Sequence, residues 1–178
     1  MILGVRSIFI LTFFLFSCQN SHQLNTIIGS AQGTFYSVKY FSKNKIVTKL
    51  QIDSLLSEID LSLSSYKSES LISRVNRNKE KKLDNYLNQV LVRSLELCNQ
   101  TNGFFDVTIA PVVNLHGFGY DIVNNDDQIN YDSIIGCDKI IIKDDTIFKK
   151  NNRIKIDING IAQGYSVDII SNFLRSKK

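Results

Sequence analysis

Apolar and polar positions alternate along this chain with two periods, and the switches between them mark out its elements. Phe35 to Phe41 alternates closely enough for a strand. From Leu50 to Leu63 the apolar residues Ile52, Leu55, Leu56, Ile59 and Leu63 fall at helical spacing. The serine-rich stretch Ser62 to Ser70 ends that helix in a loop. A second helix is predicted from Asn85 to Asn99, with Asp84 as N-cap and Leu87, Val90, Leu91, Leu95 and Cys98 as its apolar face. Asn102-Gly103 stops it, since glycine takes the left-handed cap conformation without strain. The segment Asp121 to Asp132 is polar and acidic and reads as an exposed loop. A β-meander follows, with strands Lys139–Lys143, Thr146–Lys149 and Arg153–Ile158 joined by turns at Asp144-Asp145 and Asn151-Asn152. After Asn159-Gly160 the period becomes helical again from Ile161, with Ile169, Ile170, Phe173 and Leu174 apolar. Helices and antiparallel strands in this order predict an α+β domain.

The first 29 residues follow a different logic. Arg6 precedes the apolar run Ile8 to Phe16, and Ser17-Cys18 follows it. The run falls short of the roughly 20 residues that a membrane-spanning helix needs. The pattern is that of a secretory signal, and it resembles a bacterial lipoprotein signal, in which the cysteine is lipidated and becomes the new N-terminus. Residues 1–18 are thus expected to be a signal peptide, with Cys18 the lipidation site, and residues 19–29 a polar tether. The folded part, 30–178, would sit in water on the extracytoplasmic side of a bacterial membrane.

Composition adds limits. With 43% hydrophobic and 21% charged residues the chain is no disordered polymer. A net charge of +4, with no basic stripe interleaved with aromatics, gives nucleic acid no footprint. Arg77 to Lys82 reads as a solvated loop. Of the three cysteines, Cys98 lies on an apolar stripe and reads as a buried thiol. A disulfide with Cys137 is compatible, but nothing in the spacing demands it. No cysteine and histidine cluster has metal-ligand spacing.

Two segments carry candidate chemistry. In Arg153–Ile158, Ile154, Ile156 and Ile158 share one face and Asp157 points the other way. A glycine turn and a helix start follow, so backbone N–H groups and the helix dipole favour an anion such as pyrophosphate. The same pattern also serves a purely structural turn. In Gly103 to Thr108, Phe104 and Phe105 stand beside Asp106; they suit a planar heterocycle, or equally a core and a cap. Phe104 to Gly119, with the single proline Pro111, is too irregular for one element and too apolar for a solvated loop, as pocket linings often are.

Four ordered segments resemble the ApbE family. They are Gln32-Gly33-Thr34-Phe35-Tyr36, then Leu63 to Ser70 continuing through Ser73-Arg74-Val75-Asn76, then Gly103 to Gly119, and last Asp157 to Asp168 with its Gly-Ile-Ala-Gln-Gly-Tyr core. The resemblance implies an FAD:protein FMN transferase fold, of which this chain would be the N-terminal part, incomplete at the C-terminus. It implies Mg²⁺-dependent cleavage of FAD, transfer of FMN to a threonine hydroxyl of an acceptor flavoprotein in a membrane redox complex, and release of AMP. The alternative it leaves is an FAD-binding or FAD-hydrolysing lipoprotein, or an inactive fragment. On that resemblance Gln32, Tyr66, Phe104, Phe105, Asp106, Asp157 and Gln163 would contact FAD, and the Gly160 carbonyl would be a Mg²⁺ ligand. The family's side-chain metal ligands, an aspartate and a threonine, lie in its C-terminal half. The chain departs from the family pattern in Gln32 (methionine is usual), Gln163 (lysine is frequent) and His116 (tryptophan is usual). His116 is expected to fill the tryptophan's packing site.

Overall fold

The computed structural model describes residues 22–119 and 130–177. Cys18, the signal segment and residues 121–129 of the acidic loop lie outside them.

The fold opens with a hairpin of β1 (Gln23–Ala31) and β2 (Thr34–Ser42), paired antiparallel from Gln23 opposite Ser42 to Ala31 opposite Thr34. The stretch expected as a tether up to residue 29 therefore enters a strand at Gln23. Its polar and apolar residues alternate across the sheet rather than trailing in water. One face packs on α1 (Lys49–Leu63), where Tyr40, Val47, Ile52 and Leu56 form a small core with Ile170. Tyr36 covers Gly29 so closely that a Cβ there would lie 2.4 Å from the phenol oxygen. The Tyr36 hydroxyl donates to Asp53 of α1 at 2.5 Å. Burial, then the bond to Asp53, pushes the Tyr36 phenol up to about 12. The other face of the hairpin exposes Leu24, Ile28, Phe35 and Phe41, each by more than half.

Helix α1 begins with a capping box between Thr48 and Gln51 and matches the sequence period. Helix α2 (Leu71–Asn76), absent from the sequence reading, is a short element capped by Ser70, whose hydroxyl accepts from the Ser73 N–H. Helix α3 (Asn85–Gln100) forms where expected, with Asp84 accepting from the Leu87 N–H as its cap. Thr101 to Gly103 close it with positive φ at Asn102 and Gly103. The irregular stretch resolves into a 3₁₀ turn, Val107–Ile109, and a six-residue helix α4 (Ala110–Leu115), with Pro111 in its first turn. His116 is exposed at the C-cap of α4 and fills no packing site.

Strands β3 (Ile140–Lys143) and β4 (Thr146–Lys149) form the second hairpin, turned by Asp144 and Asp145, both at positive φ. The third expected strand, Arg153–Ile158, is not a strand. Its isoleucines are fully buried in the main core, which explains the alternation, but its backbone bonds go elsewhere. The Asn76 side chain exchanges two hydrogen bonds with Ile156, and the Asp157 N–H donates to the Val107 carbonyl. Helix α5 (Asn159–Arg175) then starts two residues before the expected Ile161.

The main core is built from α1, α2, α3, the 3₁₀ turn, both strands of the second hairpin and the three isoleucines. Each fully buried isoleucine contributes about 1.5–3 kcal/mol relative to exposure. Tyr165 of α5 meets Tyr86 edge-on and donates to Gln89 at 2.9 Å, seating α5 on α3. Cys98, expected to be a buried thiol, is disulfide-bonded to Cys137. Among the described residues no helix is long and apolar enough to cross a membrane.

Candidate functional site

The site grows from the bend between the buried isoleucines and α5. Asn76, itself buried, clamps Ile156, with 2.8 Å bonds to both its N–H and its C=O. The Lys155 ammonium donates to the Asn76 carbonyl at 2.8 Å. With its neighbours pinned, Asp157 turns outward. Its Oδ1 accepts from the Asn159 N–H at 2.8 Å, which starts the helix. The positive end of the α5 dipole thus opens beside Asp157, Asn159, Ala162 and Gln163.

The β1–β2 turn supplies the second wall. Gln32 and Gly33 both have positive φ, 54° and 73°, which suits a two-residue hairpin turn. The Gln32 side-chain nitrogen donates to the Ser166 hydroxyl at 2.8 Å. Ser166 is buried, and its own hydroxyl donates to the Ala162 carbonyl at 2.9 Å. One bond therefore ties the hairpin tip to α5.

The serine-rich loop supplies the third wall. The Ser70 hydroxyl donates to the Ser64 carbonyl at 2.6 Å and that of Ser73 to the Ser65 carbonyl at 3.4 Å. Lys67 forms an ion pair with Asp60 at 3.1 Å. Tyr66, held between these anchors, is 70% exposed.

These walls enclose an open cavity of about 800 Å³. Gln32, Gly33, Asp60, Ser64, Tyr66 and Lys67 line it together with Asp157, Asn159 and Gln163, and Val113 and Phe118 add apolar surface. Its size suits a drug- or nucleotide-sized ligand. The cavity offers an exposed phenol and phenyl ring for a planar group, amides for hydrogen bonds, and a helix N-terminus for an anion.

Four of the seven expected FAD contacts, Gln32, Tyr66, Asp157 and Gln163, thus line one cavity. The other three do not line it. Phe105 is half-buried, packed against the core and 3.4 Å from where a Cβ on Gly160 would stand. Phe104 is 97% exposed. Asp106 caps the 3₁₀ turn, accepting from the Thr108 N–H and hydroxyl at 2.8 and 2.7 Å. Gly160 lies exposed in the first turn of α5. Sequence reading gave no individual role to Phe118, Asp60 or Lys67, nor to the positioning groups Asn76 and Ser166. Asn76 is the last residue of the Ser-Arg-Val-Asn segment, and Phe118 lies in the apolar stretch Phe104 to Gly119.

The model of the ApbE family matches residues 32–178. The chain is 30% identical over 175 residues to the FAD:protein FMN transferase of Vibrio cholerae, covering 92% of this chain and 52% of that protein. It is 29% identical to the FAD:protein FMN transferase of Haemophilus influenzae, covering 90% and 51%. The solved structure of the flavin transferase ApbE from Vibrio cholerae superposes with a TM-score of 0.77 at 27% identity, over 88% of this chain and 54% of that one. The chain spans about half the length of the relatives it matches.

Proposed function

The chain belongs to the ApbE family, and from that premise we propose that it works in the transfer of FMN from FAD to a threonine hydroxyl of an acceptor flavoprotein, with Mg²⁺ required and AMP released. The observation that carries the reading is the shared cavity, in which Gln32, Tyr66, Phe118, Asp157 and Gln163 surround the N-terminus of α5. In this reading the Tyr66 and Phe118 rings flank a planar end of FAD, removing it from water. The pyrophosphate faces the first turn of α5, whose dipole offsets its charge. Gln32 and Gln163 provide neutral hydrogen bonds where a charged lysine would add attraction, so binding rests more on the helix and on the metal.

The oxygen donors at the cavity suit Mg²⁺. That ion is held by one or two carboxylates while phosphates and water complete its shell. Asp157 and Asp60 are the carboxylates on the lining, and no imidazole or thiol accompanies them. Asp157 on the lining and, as the resemblance implies, the Gly160 carbonyl in the adjoining first turn of α5 would hold the ion. When bound it would neutralise charge on the transferring phosphoryl group. The part of these residues is to fix the dinucleotide in line with the incoming hydroxyl.

The acceptor in this reading is a flavoprotein subunit of a membrane redox complex. Lipidation at Cys18 would keep the enzyme at the extracytoplasmic membrane surface beside it. The test combines the protein with FAD, Mg²⁺ and a candidate acceptor, and weighs the acceptor by intact mass. A gain of one FMN unit, abolished by chelating the metal, supports the proposal. Release of AMP and FMN with the acceptor unchanged would indicate FAD hydrolysis instead.

A further inference from the structure

We propose that Cys98, Cys137 and Asp106 form a second, redox-gated metal site, separate from the flavin cavity, which takes a thiophilic divalent cation of the zinc class once the disulfide is reduced. The two sulfurs and a carboxylate oxygen of Asp106 all lie within 4.8 Å of one another. They are the one group of three or more histidine, cysteine or acidic ligands that comes so close among the described residues. Two thiolates, a carboxylate and a water make a four-coordinate set that suits zinc and disfavours magnesium.

The placement of the ligands does not depend on the S–S bond alone. Cys98 sits on the last turn of α3 with 1% exposure, fixed by the helix. The carbonyl end of that helix favours a nearby cation. Asp106 is oriented through one oxygen, which accepts both the N–H and the hydroxyl of Thr108, and its second oxygen accepts no hydrogen bond among the described residues. Thr108 is fully buried, and its hydroxyl oxygen also accepts from the Gly136 N–H at 2.7 Å. Thr108 therefore holds both Asp106 and the residue next to Cys137. Opening the disulfide leaves this threonine link in place, as an outer hydrogen-bonded shell does at a metal centre. The Cα atoms of the two cysteines are 6.5 Å apart, and side-chain rotation suffices to open the sulfurs around an ion.

The chemistry balances with a thiol or phosphine reductant. The S–S bond breaks, two electrons and two protons arrive, and each sulfur becomes a thiol; a dithiol reductant becomes a disulfide, or a phosphine with water becomes its oxide. The cation then displaces one proton from each thiol and forms two metal–sulfur bonds and one metal–oxygen bond.

Anaerobic titration of phosphine-reduced protein with Co²⁺ tests this. The expected result is one Co²⁺ per chain, with a near-ultraviolet sulfur-to-cobalt band that Zn²⁺ removes and Mg²⁺ does not. Oxidised protein shows no band, and neither Cys137→Ser nor Cys98→Ser restores it under reduction. Asp106→Asn keeps the sulfur band but binds about tenfold more weakly or worse. Reduced protein that keeps its helical circular dichroism yet shows no band overturns the proposal. So does loss of the helical signal on reduction, which makes the pair a structural staple only. Unchanged affinity in Asp106→Asn removes the aspartate from the site and overturns the ligand set.

Discussion

Asn76 holds Ile156 from both sides, its side-chain nitrogen donating to the Ile156 carbonyl and its oxygen accepting the Ile156 N–H, each at 2.8 Å. The amide thus replaces a neighbouring strand, and it fixes the residue immediately before Asp157. Replacing Asn76 by alanine leaves two buried backbone groups without partners, at a cost of about 2–5 kcal/mol. Urea unfolding of Asn76→Ala should show that loss, and FAD affinity should fall with it. Unchanged stability would mean that the clamp contributes nothing.

The hairpin tip has a lighter attachment. Gln32→Ala removes its bond to Ser166, a partly exposed hydrogen bond worth about 1 kcal/mol. Its melting temperature should barely move, while FAD binding weakens several-fold because Gln32 and Gly33 leave their wall. Ser166→Ala should lose only the share of affinity that the tether supplies, less than Gln32→Ala, and the double variant no more than Gln32→Ala alone. Fully additive losses would show that the two residues act separately.

Gly160 sits over Phe105. An alanine Cβ there meets the ring at 3.4 Å, an ordinary contact, so Gly160→Ala should fold and melt like the parent. Gly160→Val adds branches that must displace Phe105 or intrude at the helix start. Its FAD affinity should drop at least tenfold while Gly160→Ala stays within a few-fold, as fluorescence titration would read. Equal affinities for the two variants would separate Gly160 from the site.

Lys149 gives stability a pH signature. Its ammonium donates to the Val75 and Ile154 carbonyls at 3.0 and 3.1 Å. Burial, and then repulsion from Lys155, nonetheless brings its pKa down from 10.5 to about 8. Between those values the unfolded chain holds a proton that the folded chain has released. Stability from this group therefore rises as pH climbs from about 8 to 10.5 and is lowest below that window. Urea midpoints across that range should rise for the parent and flatten for Lys149→Met. A parallel rise in both proteins would assign the effect to other groups.

The parts of this fold that were legible in the sequence are those whose partners are local. Helix α3 shows its stripe and its Asp84 cap within a few residues, and β3–β4 carries its turn in Asp144-Asp145. The resemblance puts seven residues at one site; Gln32, Tyr66, Asp157 and Gln163 line one cavity, and Phe104, Phe105 and Asp106 do not. What was missed depends on distant partners. Arg153–Ile158 alternates like a strand because its isoleucines are buried, but a side-chain amide from residue 76 occupies the place of a ladder. Cys98 lies on the apolar stripe whether it is a thiol or a disulfide, and its partner Cys137 stands 39 residues away, beside Gly136, whose N–H donates to Thr108. Strand β1 mixes polar and apolar positions too evenly to stand out until β2 pairs with it. Phe104 and Phe118 look alike in sequence, and only the fold separates the one outside the cavity from the one on its wall.

That last pair allows the most direct measurement. Both rings are largely exposed, at 97% and 80%, so neither supports the core. FAD affinity, read from quenching of flavin fluorescence, should fall about tenfold in Phe118→Ala, the value of one lost aromatic contact, and change less than twofold in Phe104→Ala. Weakened binding in Phe104→Ala with Phe118→Ala unaffected would place the dinucleotide elsewhere and contradict the account.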